Sequence, residues 1–344
     1  MATYACLHEV VPAPNHLRLP IPVKFMRLII DTDTAGDDCF SILLALAHPK
    51  VKIEALTICN GNVDFDQQVE NALITLEMAG RGGAAPVYAG CRIPIMRKPV
   101  DATYVFGRDG MSDANFPKAR QRPEQIHAVD AIVDLVMQNP GEITILAQAP
   151  LTNIALAYLK EPRIAQAVRH LWIMGGTDNA IGNVTPAAEF NFYVDPEAAK
   201  IVLKAGFRVT LSTWTLTMKS GVLLVEDFAA IERMDTPLAK FFLQVNKATL
   251  NYTRNRHRAQ LSTHPDSLTC ACMLDETVIL EADDCLVEVE TTGELTRAYC
   301  SVSSPILPEH DLADPALARR PANARVIKTT DTAKFGSMLR EALA

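Results

Sequence analysis

The sequence predicts an α/β fold: an open, mostly parallel twisted sheet with helices on both faces and a Rossmann-like core. Three observations predict it. From Met26 onward, short apolar runs alternate with longer stretches of helical character. Such alternation builds βαβ units, and so parallel strands covered on both sides. The polar clusters follow directly on the apolar runs, which in an open parallel sheet gathers them at the carboxyl edge, where ligands bind. Finally, 344 residues with 49% hydrophobic content suffice to bury a large core.

Taken in order, "MRLIID" (26–31) is the first strand and "DDCFSILLALA" (37–47) the helix that follows it. The strand "KIEALTI" (52–58) leads to the helix "DFDQQVENALITLEMAG" (64–80), and "EITILA" (142–147) to "LTNIALAYLK" (151–160). "HLWIM" (170–174) leads, after a loop, to "DPEAAKIVLKAG" (195–206), and "FRVTLS" (207–212) closes the regular pattern. Beyond about residue 235 come helices, a β-rich "CLVEVETTGELTRAYCSV" (285–302) and a closing helix near 331–344. No repeat or linker interrupts this, so residues 26–344 read as one domain. Residues 1–25 carry Pro12, Pro14, Pro20 and Pro22, with no basic start before an apolar core. They read as an irregular N-terminal extension, not a secretory signal.

A formal charge of −7 argues against nucleic acid or an anionic membrane as the main partner. No apolar run reaches the ~18 residues of a spanning helix. The eight cysteines (Cys6, Cys39, Cys59, Cys91, Cys270, Cys272, Cys285 and Cys300) include no C-x-x-C pair. They read as small buried hydrophobes in a reducing compartment, and the chain as cytoplasmic.

The chemistry concentrates in "DTDTAGDD", where Asp31, Asp33, Asp37 and Asp38 fall within eight positions. Four acids that close repel one another and resist burial unless something positive sits among them. A helix N-terminus accounts for Asp37 and Asp38 but not for all four. "DTDT" also fits the Asp-x-Asp-x-Thr pattern of haloacid-dehalogenase-like phosphatases, with Asp31 as phosphoryl nucleophile, Asp33 as general acid and Mg²⁺ between them. That reading leaves Asp37 and Asp38 unexplained and needs a second acidic motif, for which "EADDC" (281–285) is a poor candidate. The third reading is a hard, oxygen-rich cation site. Calcium takes six to eight oxygens, and these loops lack the His and Cys ligands that zinc prefers.

"DTDTAGDD", "GNV", "APLTNIALA", "IMGG" and "GNVTPAAEFNFYVDPEAAKIV", in this order and spacing, resemble the nucleoside hydrolases, the inosine–uridine-preferring N-ribohydrolases. The likeness runs from about Met26 to the closing helix and includes "VETTGELTRAY". It implies hydrolysis of ribonucleosides to ribose and free base in salvage, with a tightly held Ca²⁺ and a homodimeric or homotetrameric assembly. Carried over by residue, Asp33 matches the general base and a metal ligand. Asp38, the backbone carbonyl of Thr152 and Asp266 complete the metal set. Asp37, Asn62, Asn183, Glu189 and Asn191 match the partners of the ribose, Met174 packs on the sugar, and Asp31 supports from behind. Asn62 and Asn183 also suit turns after Gly61 and Gly182, and Met174 also suits a core.

The chain departs from the family pattern in three places. Thr34 and Ala35 stand where Asp-x-Asp-Pro-Gly is usual, and Ala149 replaces a glycine. Many members carry His-Asp-Pro with the histidine protonating the leaving base; here "THPDSLTC" puts Pro265 at that position and His264 one residue earlier. His264 is then either a displaced acid or a surface or structural residue. Base departure is alternatively helped by aromatic stacking, with Trp214 one candidate. Tyr252 and Arg258, in and beside "RNRHR" (254–258), are candidates for touching the base, the alternative being a solvated helix face. "GRDGMSD" (107–113) reads as a mobile lid. A catalytically impaired nucleoside- or ribose-binding protein is the non-enzyme alternative, and base preference is not legible.

Overall fold

The computed structural model describes residues 25–257, 261–303 and 321–344. Its strands are β1 (Met26–Thr32), β2 (Val51–Ile58), β3 (Val87–Ala89), β4 (Ile143–Ala147), β5 (His170–Met174), β6 (Val209–Ser212), β7 (Val222–Leu224), β8 (Leu261–Thr263), β9 (Ile279–Val289), β10 (Cys300–Ser303) and β11 (Ala324–Thr330). The helices in the first half are α1 (Gly36–Ala47), α2 (Phe65–Met78), α3 (Thr103–Phe106), α4 (Ala128–Gln138), α5 (Thr152–Lys160) and α6 (Ile164–Ala167). Those in the second half are α7 (Phe190–Val194), α8 (Pro196–Lys204), α9 (Trp214–Ser220), α10 (Val225–Glu232), α11 (Pro237–Val245), α12 (Lys247–His257), α13 (Pro265–Leu274) and α14 (Thr332–Leu343). The expected extension over 1–25 lies outside the described residues except for Phe25.

Nine strands form one sheet in the order β10-β9-β11-β6-β5-β4-β1-β2-β3. The six strands from β3 to β6 run parallel, β11 joins β6 in parallel, and β9 and β10 add an antiparallel edge. The expected parallel α/β core is therefore present. The chain winds outward from β1 to β3 on one side and from β4 to β6 on the other, so β1 and β4 flank the switch point. An open α/β sheet binds its ligands in the crevice outside the strand ends at that point.

Strand alternation explains the two-sided core. Leu28 and Ile30 face a layer with Phe40, Leu73 and Phe242, whereas Ile29 faces one with Ile132, Ile145 and Ala155. Strands buried on both faces need near-continuous apolar sequence, which "RLII" and "ITILA" supply. The register of β1 with β2 shifts at Glu54, so Ile53 and Leu56 share a face despite their odd spacing. This one-residue bulge leaves Glu54 accepting from Arg27 Nε at 2.7 Å. Four strands escaped the sequence reading: β3, β7 and β8, with three residues each, and β11, which carries the sheet onward between β6 and β9. The described cysteines are all unpaired and buried, as expected of small hydrophobes. Among the described residues no helix is long and apolar enough to cross a membrane.

At the start of β5, His170 is 9% exposed, lies against Trp172 with ring centroids 4.9 Å apart, and meets Thr210 Oγ1 at 2.9 Å. Burial, reinforced by the nearby Arg208 charge, pulls its pKa down to about 4. A free histidine titrates at about 6.5, so on acidification the unfolded chain takes up the proton first. Stability is therefore lost through this residue as pH falls from about 6.5 towards 4. His170→Gln keeps a donor for Thr210 and removes the titration. In denaturant unfolding, wild type should lose about 2 kcal/mol more than the variant between about pH 7 and pH 5. Equal losses would show that folding leaves the His170 proton affinity untouched.

Candidate active site

The four clustered aspartates are held by different sets of donors at the end of β1 and the start of α1. Asp31, still on the strand and fully buried, accepts from Thr57 Oγ1 at 2.6 Å and Asn153 Nδ2 at 2.8 Å. Burial lifts its pKa to about 7. Asp38 sits in the first turn of α1 and reaches back over the helix start, accepting from the Ala35 amide at 3.1 Å. Thr32 Oγ1 (2.6 Å), Gln148 Nε2 (3.2 Å) and Asn62 Nδ2 (3.3 Å) also donate to it. Burial outweighs these donors and, with Asp37 nearby, raises its pKa to about 6.

Asp33, 1% exposed, lies in the loop between β1 and α1. Its Oδ2 accepts from the Asn62 amide at 3.0 Å, and its Oδ1 is buried without a partner. Burial first, and the Asp38 charge second, push its pKa well above the usual carboxylate range. Gly61 makes this placement possible: a Cβ there would stand 1.8 Å from Asp33 Oδ2. Asp37 turns the other way, toward α13. Its Oδ1 accepts from His264 Nδ1 at 3.0 Å and Ser267 Oγ at 2.8 Å, and its Oδ2 from the Asp266 amide at 2.6 Å. Asp266 follows Pro265, whose fixed φ suits the first turn of a helix. Burial and the charges of Asp38, Asp37 and Asp33 raise the Asp266 pKa strongly.

Above these acids opens a cavity of about 510 Å³. Asp37, Asn62, Gln148, Met174, Glu189, Asn191 and Asp266 form its polar end, with Asp33 and Asp38 just behind Asn62. Glu189 caps α7, accepting from the amides of Gly176 (2.8 Å), Asn191 (2.8 Å) and Phe192 (3.1 Å). Burial still raises it to about 7. Asn191 Nδ2 donates to the Met174 carbonyl at 3.2 Å, tying α7 to the end of β5. The outer end is largely apolar: Tyr104 and Phe106 from α3, Ile181, Trp214 and Met218 from α9, and Tyr252 from α12. Among the described residues no Lys, Arg or His lines the cavity.

Residues 28–337 match the family model described as inosine-uridine preferring nucleoside hydrolase. The chain belongs to the nucleoside hydrolase family. It is similar to the inosine-uridine preferring nucleoside hydrolase of Crithidia fasciculata, 35% identical over 78% of this chain and 85% of that protein. It is also similar to a pyrimidine-specific ribonucleoside hydrolase of Shewanella sp. (strain ANA-3), 31% identical over 92% of this chain and 96% of the other. A solved plant nucleoside hydrolase superposes with a TM-score of 0.86 at 30% identity, covering 92% and 98% of the two chains. The protein is accordingly a hydrolase acting on the N-glycosyl bond of ribonucleosides.

Of the residues singled out from sequence, Asp37, Asn62, Met174, Asn183, Glu189, Asn191 and Asp266 line this nucleoside hydrolase's cavity, and Asp33 and Asp38 lie directly behind it. Thr152 requires correction. It opens α5, where a carbonyl runs along the helix axis, and its hydroxyl donates to Asp195 at 2.7 Å. It does not line the cavity; Gln148, at the end of β4 beside β1, does. Among the described residues, the Gln148 carbonyl is held by a long 3.4 Å bond from Asn191. Its signal was position, since it immediately follows a strand at the switch point.

The loop 107–113 is no lid. Met111 is buried, the Gly110 carbonyl accepts from the Gly36 amide at 2.9 Å, and the Asp109 carbonyl accepts from Asn71 at 2.8 Å. The neighbouring α3, which the sequence reading passed over, lines the cavity instead. His264 is fully buried rather than on the surface, and Pro265 is the residue that meets the cavity. Trp214 and Tyr252 both line it, Arg254 and Arg256 are exposed, and Arg258 lies outside the described residues. The phosphatase reading fails on placement. Asp31 is sealed behind the cavity, and Asp283 and Asp284 are exposed on β9, with β4, β5, β6 and β11 between them and β1.

The donor set suits a hard cation. It consists of carboxylate and amide oxygens, it is buried, and it includes the unpartnered Asp33 Oδ1. Among the described residues no three ligating side chains converge as a finished shell, Asp38 being turned onto its four protein donors. Gly61→Ala would drive a methyl group into the Asp33 carboxylate. With circular dichroism unaltered, kcat/KM for a nucleoside should fall at least ~100-fold, the scale of a 1 Å misplacement. An alanine variant as active as wild type would mean that the Asp33 position is not critical.

Proposed function

We propose that this nucleoside hydrolase is calcium-dependent, with Asp33 as the general base, and serves nucleoside salvage. The observation that carries the proposal is the unpartnered, buried Asp33 Oδ1 beside a cavity without a lining cation. Asp33, Asp38, Asp266 and, in place of Thr152, the carbonyl of Gln148 would hold the ion. Bound calcium supplies orientation of the ribose diol and a lowered pKa for a bound water.

The protein's own groups do the rest. Asp33 Oδ1 takes the proton from the attacking water. The sugar lies against Met174, with Asn62, Asn183, Glu189 and Asn191 offered to its hydroxyls. Asp37 has three of its roughly four lone-pair positions filled and keeps one for a ribose hydroxyl. Positive charge developing on the ribosyl group is stabilised by this ring of carboxylates, fixed before the reaction begins. The base occupies the apolar end, where Trp214 and Tyr252 supply aromatic faces. Charged lining residues that are all acidic suit a neutral nucleoside and repel a phosphorylated one. A cytoplasmic location and a homodimer or homotetramer complete the proposal; the unpaired cysteines support the first.

Elemental analysis of purified protein should find about one Ca²⁺ per chain, bound by six to eight oxygens. Chelation should abolish release of reducing sugar from nucleosides, and calcium should restore it; turnover unaffected by chelation would end the metal reading. Asp33→Asn should keep the fold while kcat drops by roughly 10²–10⁴-fold, the usual contribution of a general base. A variant with wild-type kcat would remove Asp33 from the chemistry.

A further inference from the structure

The family resemblance sets a histidine next to the metal-binding aspartate as proton donor to the base, and in this chain the histidine stands one residue earlier. The structure gives that displaced side chain another occupation. His264 is fully buried, stacked on Phe242 at 5.5 Å between centroids and tilted against Phe40 at 6.0 Å. Its backbone amide is fixed by the Gly221 carbonyl at 2.7 Å. Its Nδ1 meets Asp37 Oδ1 at 3.0 Å, and its Nε2 is buried with no partner. A carboxylate only accepts hydrogen bonds, so Nδ1 carries a proton. The His264 side chain does not reach the cavity, which Asp37, Pro265 and Asp266 line.

The same Asp37 carboxylate accepts from the Asp266 amide at 2.6 Å and from Ser267 Oγ at 2.8 Å. Asp37 is thus a knot between the start of α1 and the start of α13. With the Asp266 amide bound to Oδ2 and Ser267 to Oδ1, the His264 N–H is a second donor on Oδ1 and holds the carboxylate in that setting. We infer that His264 is a positioning residue: its Nδ1–H orients Asp37 and, through Asp37, the Asp266 carboxylate, and it gives no proton to the leaving base. This rests on the reading that Asp266 holds the ion and Asp37 meets the ribose.

Three variants of the full-length protein separate the roles. His264→Leu keeps apolar bulk and loses the donor. His264→Asn places an amide N–H near the Nδ1 position, and His264→Gln places one near Nε2. In calorimetric titration of chelator-stripped protein, His264→Leu should bind Ca²⁺ about 10- to 100-fold more weakly, the usual cost of losing a group that orients a metal ligand. KM for inosine or uridine should rise with it. His264→Asn should recover most of both losses and His264→Gln little. For every variant, the ratio of kcat on 4-nitrophenyl riboside to kcat on inosine should stay within about threefold of wild type, because no proton donor has been removed.

Wild-type calcium and riboside affinity in His264→Leu would overturn the inference. So would a loss confined to natural nucleosides and rescued by the nitrophenyl substrate, which would make His264 the acid. If the leucine variant does not fold, the asparagine and glutamine variants decide, equal behaviour of the two counting against positioning. Nitrogen-15 NMR of the wild-type histidines gives a readout independent of ion and turnover: His264 should be the Nδ1–H tautomer, and an Nε2–H tautomer would overturn the assignment. Wild-type protein that binds no calcium and cleaves no riboside would instead defeat the functional reading, while the NMR result would still test the Asp37–His264 contact.

Discussion

Six carboxylates, Asp31, Asp33, Asp37, Asp38, Glu189 and Asp266, crowd around the carboxyl end of the central strands, none more than 6% exposed. Like charges withdrawn from water are costly, and each must be offset by donors or by neutralisation. The chain meets this with amides and hydroxyls instead of lysine or arginine. Glu189 draws three backbone amides, Asp38 an amide, a hydroxyl and two side-chain amides, and Asp37 an amide, a hydroxyl and an imidazole. These donors soften the charge without cancelling it. What remains is a concentrated negative potential that favours a hard cation and an electron-poor sugar.

The sheet makes that crowding possible. With β1 and β4 side by side and the chain winding away on both flanks, loops from distant parts of the sequence meet at one edge. Asp33 and Asp38 follow β1, Asn62 follows β2, Gln148 follows β4, and Met174 ends β5. Only Asp266 comes from outside this scheme, delivered by α13 as it packs against α1. The division between a polar end built on strand termini and an apolar end built on α3, α9 and α12 follows from the same geometry.

Much of this was legible in the sequence, because it rests on local patterns. "RLII", "ITILA" and "HLWIM" could only be buried strands, and acids placed directly after them had to meet at the sheet edge. Asp33, Asp38, Asn62 and Glu189 were singled out by that logic together with the family motifs. What escaped depended on tertiary context. Thr152 and Gln148 sit in one short motif, and only the start of α5 decides which of them turns to the cavity. β11 was missed because "ARVIKTT" gains its place from β6 and β9, not from its own pattern. Loop 107–113, rich in Gly and Asp, looked free until its partners on α1 and α2 were visible.

The contact between Asp37 and His264 joins positions 227 residues apart in the chain. Such long-range contacts form slowly, since the intervening loop must be closed before they give anything back. The parallel strands β1, β2 and β4 can assemble while Asp33, Asp37 and Asp38 still face water and hold their hydration. The packing of α13 on α1 is what brings Asp266 among these acids. An order in which α13 docks last would spare the growing chain a buried cluster of unbalanced charge while most of its core is still being built.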